Sequence, residues 1–425
     1  MSALPPAAAE RRLREYLLLP RPGDLVKAWI FPAAFVFGVL AEGGAGGREL
    51  LRAALVWVAL ELLIYQARYQ WNDIRGFAAD QRHPDAAGRG RLPGPPSRRR
   101  RHTRASAAVL CARLSLVALL ALALPALHLG WALGALTVAV FGIAVVYESL
   151  RARATGSSNQ VPAPLRPGLV ALWLVVGGGY AVRGVSGLAL ATDIGSEPLV
   201  AVAALVTMWS FGVAFVTARW ALESLAFARQ GDGGEILWEV DDGLAREHSL
   251  ALARWLPAAA PGGAAKAPEA GRFKDWRALK SGVSLAAPWN LAAVLAAAAA
   301  ALTGRLLAGP ADSLEALLAT ACGALLAIAV LLTARHRWGA WVGAGLALAV
   351  ALASAGSPRP GLAALPWLAI LGGHLFFTAQ SPRTLPHPLR SATREAFSRL
   401  DSGSGPGPGA DTGPTVVVPL WRRWR

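Results

Sequence analysis

Long apolar runs alternate with short polar segments along most of this chain. Runs of this length and number are typical of helices that cross a bilayer. They cover residues 28–41, 50–70, 106–127, 131–148, 167–188, 199–216, 286–306, 314–333, 338–353 and 362–377. The pattern therefore predicts an all-α, multi-pass transmembrane helical bundle of about nine to ten spans.

Composition supports a membrane protein and accounts for the basic charge. The 425 residues are 54% hydrophobic and only 16% charged, and the net charge is +16. A soluble domain would be nearer a quarter charged. Cytoplasmic loops of membrane proteins collect arginines, and anionic lipid attracts them, so the charge calls for no nucleic acid partner. The placement of the basic loops predicts a cell membrane (plasma or inner membrane) protein with both termini cytoplasmic.

The chain divides into three parts by composition. Residues 1–25 form a polar, cytoplasmic N-terminal lead, and residues 26–380 form the transmembrane domain. Within that domain, residues 71–105 and 217–285 are the long cytoplasmic loops. Residues 381–425 form a flexible, basic C-terminal tail rich in glycine and proline. The tail ends in alternating tryptophan and arginine, which suits a membrane interface, with a docking peptide as the alternative.

The end of the second predicted span carries the most informative polar stretch. On a helix, Asp73, Gly76 and Asp80 lie at i, i+3 and i+7 and share one face. Carboxylates placed this way can hold Mg²⁺, which prefers a few carboxylates together with phosphate oxygens. The alternative is a helix end with ordinary solvated charges.

Two charged residues lie inside predicted spans. Glu61 is near the middle of the second span, where an ionisable residue is costly and marks a functional site that faces the bundle interior. Its alternative role is a protonated carboxyl bonded to a neighbouring helix. Arg183 in the fifth span is expected to extend outward to the interface, with a role in substrate binding as the alternative.

The run Asn72-Asp73-Ile74-Arg75-Gly76-Phe77-Ala78-Ala79-Asp80 resembles the first aspartate-rich motif of UbiA-superfamily prenyltransferases. The continuation through His83-Pro84 and Arg91-Leu92-Pro93 resembles the decaprenyl-phosphate phosphoribosyltransferase branch. Arg21-Pro22, followed by Lys27, resembles the start of that branch, although a positive-inside anchor is equally consistent. One departure is that Gly76 stands where the family usually has its middle aspartate.

The resemblance implies a UbiA-like bundle around a lipid-accessible cavity, with Mg²⁺ as the cofactor. Asp73 and Asp80 would bind the metal and act as catalytic residues, and Asn72 would orient the metal or its water. The residues expected to contact substrate phosphate are Arg75, Arg82, His83, Lys27, Tyr147 and Arg151.

A second acidic motif should follow the sixth span in this superfamily, and no full match is present. Glu223 ends a stretch, Arg219–Glu223, that resembles the end of the equivalent helix in the phosphoribosyltransferase branch. If Asp232 caps a helix, an acidic face follows at positions i, i+3, i+7 and i+10. That second acidic cluster comprises Asp232, Glu235, Glu239 and Asp242, with Glu223 before them. The alternative for residues 235–255 is a solvated amphipathic helix.

Three functions remain open on these residues. The first is Mg²⁺-dependent transfer of a prenyl group from a polyprenyl diphosphate to an acceptor. The second is transfer of phosphoribose to a polyprenyl phosphate, and the third is a degenerate, non-catalytic isoprenoid-binding membrane protein. The expected partners are an isoprenoid diphosphate or polyprenyl phosphate, and membrane lipid.

Overall fold

The structure is a computed structural model and describes residues 13–83, 90–230, 236–238, 240, 245–256, 284–333 and 336–379. In this part of the chain, nine helices are long and apolar enough to cross a membrane. A tenth span forms if the helical pair Leu13–Lys27 and Ile30–Glu42, bent by 47°, is counted as one. The predicted all-α, multi-pass bundle is confirmed.

The first half of the bundle packs around aromatic and aliphatic side chains such as Phe31, Leu60 and Leu133. Its helices are α1 (Leu13–Leu18), a 3-10 helix (Pro22–Lys27), α2 (Ile30–Glu42), α3 (Gly47–Val58), α4 (Tyr65–Gln81), α5 (Arg99–Ala123) and α6 (Leu129–Ala154). A π-helical turn, Ala59–Ile64, joins α3 to α4 so that they form one span. Such turns occur often at functional sites, and this one contains Glu61.

The second half of the bundle packs around Phe211, Leu348 and Trp367. Its helices are α7 (Pro167–Val175), α8 (Gly178–Ala189), α9 (Pro198–Ser224), α10 (Glu247–Leu250), α11 (Pro288–Leu307), α12 (Ser313–Leu332), α13 (Arg337–Ser354) and α14 (Pro360–Ala379). Four of these begin on a proline, whose missing N–H costs nothing at the first helical position. Two short strands, β1 (Ala228–Gln230) and β2 (Ile236–Trp238), pair antiparallel after α9.

Helix α14 is held tightly beside α11 and α2. A Cβ at Gly304 would lie 1.9 Å from the Ala363 carbonyl oxygen, so only glycine permits this approach of α11 to α14. At the start of α14, Arg359 donates to the carbonyl oxygens of Ala308 at 3.1 Å and of Ala41 at 2.9 Å. These contacts fix the first and last spans side by side.

The outer faces of the bundle are apolar, and one end is basic. Leu122, Trp131 and Val138 are 77%, 86% and 73% exposed, as expected for side chains that contact lipid tails. We call the end of the bundle that carries Arg99–Arg101 and Arg151 the basic end.

The predicted acidic helix after the sixth span is wrong where the structure describes it. Residues Ile236–Trp238 form a strand, because they pair with β1 through a backbone ladder that a helix cannot make. A single helix running through Ile236–Trp238, as the acidic spacing requires, is therefore excluded. The acidic residues themselves, Asp232, Glu235, Glu239 and Asp242, lie outside the described residues.

Candidate functional site

The carboxylate of Asp73 is the centre of a buried polar cluster at the basic end. The residue is fully buried, and its Oδ1 accepts from Arg21 and, at 3.2 Å, from the Nη1 of Arg91. The hydroxyl of Tyr16 donates to Oδ2 at 3.2 Å, and the Asn72 side chain also bonds the carboxylate. Residues 13–25 of the N-terminal lead are therefore folded over α4, because α1 supplies Tyr16 and the next turn supplies Arg21.

Arg91 lies between the two carboxylates of the sequence motif. Its Nη1 is 3.2 Å from Asp73 Oδ1, and its Nε is 4.0 Å from Asp80 Oδ1. Both aspartates are in α4, as predicted, and one cation reaches both of them. The two carboxylates consequently face a common point at the end of the span.

This arrangement fits a magnesium ion that substrate phosphate helps to hold. Mg²⁺ is usually bound by one or two carboxylates and completed by phosphate oxygens and water. Arg91 contacts Asp73 through Nη1 and comes within 4.0 Å of Asp80 through Nε, so both carboxylates border the region that a metal-bound phosphate would occupy. Among the described residues, no group of three or more metal-ligating side chains occurs, so these residues alone do not form a complete protein-made metal cage.

A second polar group lies next to Asp73 and nearer the bundle interior. Lys27 Nζ is 2.6 Å from Asp24 Oδ1, and Arg21 is 3.8 Å from the same carboxylate. The Lys27 ammonium also lies 6.0 Å from the Tyr180 ring centroid. The hydroxyl of Tyr180 is buried and has no hydrogen-bond partner among the described residues. Buried hydroxyls normally have a partner, so this donor is available to a ligand oxygen.

An apolar cavity adjoins this polar group across an aromatic pair. The rings of Tyr180 and Phe211 pack edge to face with centroids 6.0 Å apart. Phe211 lines a cavity of about 40 Å³ between α2, α8, α9, α11 and α14. Two threonines in its wall, Thr207 and Thr303, bond to each other at 3.2 Å, so the remaining lining is largely apolar.

Most of the residues predicted to contact phosphate lie close to Glu148 or at the surface. Arg151 is 2.6 Å and Arg75 is 3.7 Å from the Glu148 carboxylate, and Tyr147 packs 5.7 Å from the Arg151 guanidinium. Two further residues predicted to contact phosphate have other partners: Arg82 donates to the Ala78 carbonyl oxygen, and the His83 ring packs 5.2 Å from the Phe227 ring. Glu223, which was predicted for the second acidic cluster, lies in the last turn of α9. Of the six, Lys27 lies in the Arg21 and Asp24 group.

Sequence reasoning missed four members of this site. Tyr16, Asp24 and Tyr180 carried no motif, and Arg246 lies in a loop remote from Asp73 in sequence. The Ser158 N–H donates to the Ala245 carbonyl oxygen at 3.0 Å, which holds this loop against the segment after α6.

The guanidinium of Arg246 is partly buried and lies near other charged side chains. Burial lowers the pKa of its guanidinium, and the positive charge of Arg151 lowers it further. The nearby Tyr147, Asp80 and Glu148 act on it in the opposite direction. Arg246 therefore lies within electrostatic reach of Arg151 and Asp80.

The prediction that Arg183 extends outward is wrong. It lies inside the bundle, where its Nε and Nη2 donate to Glu61 at 2.6 and 2.9 Å, and both side chains are almost fully buried. The guanidinium also stacks 3.4 Å from the Tyr65 ring centroid. Pairing within the bundle avoids exposing two charges to lipid, which explains why the arginine turns inward. The interior orientation predicted for Glu61 is confirmed.

Restoring a carboxylate at position 76 should raise the affinity for Mg²⁺. A Cβ at Gly76 would lie 3.0 Å from Asp80 Oδ2, so Gly76→Asp places a third carboxylate beside the pair. We expect the variant to be destabilised in chelator by charge repulsion and to regain stability as Mg²⁺ is added. The measurement is melting temperature against Mg²⁺ concentration, with Gly76→Asn as the neutral control. An identical Mg²⁺ response in the two variants would count against a metal at this position.

Comparison of the chain with protein-family models, with curated proteins and with solved structures finds no match. Functional inference consequently rests on the residues and the geometry described above.

Proposed function

We propose that this chain is a UbiA-type integral membrane transferase that moves a prenyl group from a polyprenyl diphosphate to an acceptor. The observation that carries the proposal is the pair Asp73 and Asp80, which share one cation at the end of a spanning helix. The apolar lining of the adjoining cavity supports it, because an isoprenoid diphosphate joins a highly charged head to an apolar chain that needs such surroundings.

The basic residues of the site suit a diphosphate head group. Arg21 reaches Asp73 and Asp24, Arg91 reaches Asp73, and Lys27 reaches Asp24. Tyr180 adds a buried hydroxyl that has no hydrogen-bond partner among the described residues. Arginine is well suited to phosphate because its planar guanidinium can donate two parallel hydrogen bonds. On binding, these donors would turn from carboxylate to phosphate oxygens and hold the head group against α4.

In prenyl transfer, the bond between the allylic carbon and the diphosphate oxygen breaks, and its electron pair leaves with the diphosphate. The acceptor's nucleophilic atom forms the new bond to that carbon and loses its proton to solvent or a base. Mg²⁺ held by Asp73 and Asp80, with Asn72 to orient it, would neutralise charge on the departing diphosphate. Arg21, Lys27 and Arg91 would stabilise the same charge by hydrogen bonds, and the apolar cavity would exclude water from the reacting carbon.

One observation favours a second function, transfer of phosphoribose to a polyprenyl phosphate. The sequence carries no full second aspartate-rich motif after the sixth span, and α9 ends at Ser224 in a 3-10 turn and a strand. In that reaction a single pair of carboxylates would be enough, because the metal would bind only the diphosphate of the phosphoribosyl diphosphate donor. The polyprenyl phosphate oxygen would then attack the ribose carbon as diphosphate leaves.

We further propose that the basic end faces the cytoplasm of the plasma or inner membrane. The arginines Arg99–Arg101, Arg151 and Arg153 all lie at this end, and cytoplasmic loops are enriched in such residues. Water-soluble substrates would then reach Asp73 and Asp80 from the cytoplasm.

The choice among these functions is tested by supplying each donor to the full-length protein in nanodiscs with Mg²⁺. We expect radiolabelled geranylgeranyl diphosphate to release diphosphate when candidate acceptors are present, as prenyl transfer requires. Label passing from phosphoribosyl diphosphate into a polyprenyl phosphate would instead establish the second function. If neither donor is consumed while isoprenoid phosphates still bind, the chain is a non-catalytic isoprenoid-binding protein and the transferase proposal fails.

A further inference from the structure

Arg113 is a cation buried within the spanning helix α5. Its side chain is 8% exposed, and its Nη1 donates to Gln70 Oε1 at 2.6 Å. Its Nη2 donates to the carbonyl oxygens of Leu17 and Leu18 at 3.0 and 2.7 Å. In the described part of the chain, its hydrogen-bond acceptors are thus an amide and two backbone carbonyls. A charge inside a span is costly, so an arginine kept there is a candidate for a functional role.

The three hydrogen bonds of Arg113 join α5 to both of the segments that meet at Asp73. Gln70 lies in α4, one helical turn before Asp73. The two carbonyl groups belong to the last residues of α1 and directly follow Tyr16, whose hydroxyl donates to the Asp73 carboxylate. The last carbonyls of a helix have no partner within it, and a basic side chain can supply one. Arg113 therefore closes a ring of contacts around the Asp73 cluster.

The position of Arg21 depends on where α1 is held. Arg21 follows Leu18 by three residues, and three residues span at most about 10 Å. Its guanidinium donates to Asp73 and lies 4.8 Å from the Tyr69 ring centroid. Fixing the Leu18 carbonyl group consequently limits the places that this guanidinium can reach. A donor restrained in this way loses less conformational entropy when it binds a phosphate oxygen than a donor on a free segment.

We propose that Arg113 is a positioning residue, which anchors residues 13–25 of the lead so that Tyr16 and Arg21 are held at Asp73. Arg113 would act through these two side chains and would not touch the substrate. Its effect on the substrate rests on the proposed function, in which Arg21 binds the diphosphate head group. The anchoring of the lead does not rest on that function, so the two parts are tested separately.

The anchor is tested by hydrogen–deuterium exchange of residues 13–25 in the full-length protein in nanodiscs, without added ligand. We expect exchange to be about tenfold faster in Arg113→Met than in wild type, because a segment that loses buried contacts opens more often. Arg104→Met is the matched control, since it removes an exposed arginine of the same helix and should exchange as wild type does. Arg113→Lys keeps the charge but lacks the two-nitrogen fork, so its exchange rate should be intermediate. Equal exchange in wild type, Arg113→Met and Arg113→Lys would overturn the proposal.

The positioning role is tested by equilibrium binding of geranylgeranyl diphosphate with Mg²⁺ to Arg113→Met, Arg21→Gln and the double variant. We expect each single substitution to weaken binding about tenfold, the value of one charge-assisted hydrogen bond. The double variant should also lose about tenfold, rather than about a hundredfold, because residues that act as one unit are not additive. Arg104→Met should bind as wild type does.

Two binding results would overturn the positioning role: wild-type affinity in Arg113→Met, or a loss of about a hundredfold in the double variant, which would show that Arg113 and Arg21 act independently. Wild-type protein that binds no diphosphate would overturn the proposed function, and with it the effect of Arg113 on the substrate. Faster exchange of the lead in Arg113→Met would still establish the anchor in that case, so the two failures are distinguishable.

Discussion

Removing the charge of Arg183 should destabilise the protein by about 3–5 kcal/mol, because it leaves the Glu61 carboxylate buried without a partner. The pair is bidentate, with distances of 2.6 and 2.9 Å, and both side chains are almost fully buried between the π-helical turn and α8. Arg183→Met also loses the stacking of the guanidinium on Tyr65 at 3.4 Å. The measurement is the apparent melting temperature of the purified protein in detergent.

The double variant Glu61→Met/Arg183→Met is the decisive control. It removes both charges and replaces them with apolar side chains of similar length, so no unpaired charge remains. Replacing a whole buried pair in this way is often neutral or stabilising, and we expect most of the lost stability to return. A double variant as unstable as Arg183→Met alone would show that shape or stacking, rather than charge pairing, is what the arginine contributes.

Asp73→Asn should reduce turnover by about 10²- to 10³-fold, since it removes a charge that would hold the metal at the departing diphosphate. The substitution preserves the shape of the side chain and its hydrogen bond from Tyr16. It also leaves the cations Arg21 and Arg91 with less negative charge, so a modest loss of stability is expected. Initial rates with saturating donor are measured beside the melting temperature, which separates the two effects.

Asp193→Asn is the matched control for this experiment. Asp193 is an exposed aspartate outside the Asp73 cluster, and its substitution should leave both the rate and the melting temperature unchanged. Folded Asp73→Asn protein that retains the wild-type rate would remove Asp73 from the catalytic machinery.

The spans and the shared face of Asp73 and Asp80 could be predicted because both depend on local sequence. Apolar run length fixes a spanning helix, and the spacing of the two aspartates fixes their common side of α4. The interior position of Glu61 could also be predicted. A charged side chain that faces lipid is costly at any depth in a span, so it turns toward the bundle interior.

The partners of these residues could not be predicted, because they depend on packing between distant segments. Tyr16 and Arg21 reach Asp73 only when the lead folds over α4, and no periodicity signals that contact. Arg183 was mistaken for an outward-facing arginine because its sequence does not reveal the carboxylate of Glu61 on another helix. The spacing of the acidic residues suggests a helix over Ile236–Trp238. It does not reveal that this segment pairs with Ala228–Gln230 through backbone hydrogen bonds.

The central claim is that Asp73 and Asp80 form a metal-assisted site for an isoprenoid diphosphate. The most direct test is equilibrium binding of geranylgeranyl diphosphate to the full-length protein, with Mg²⁺ and with chelator, for wild type and Asp80→Asn. We predict that Mg²⁺ strengthens binding to wild type and that this enhancement disappears in Asp80→Asn. Wild-type protein that binds no isoprenoid diphosphate in either condition, or binds it equally well in both, would contradict the claim.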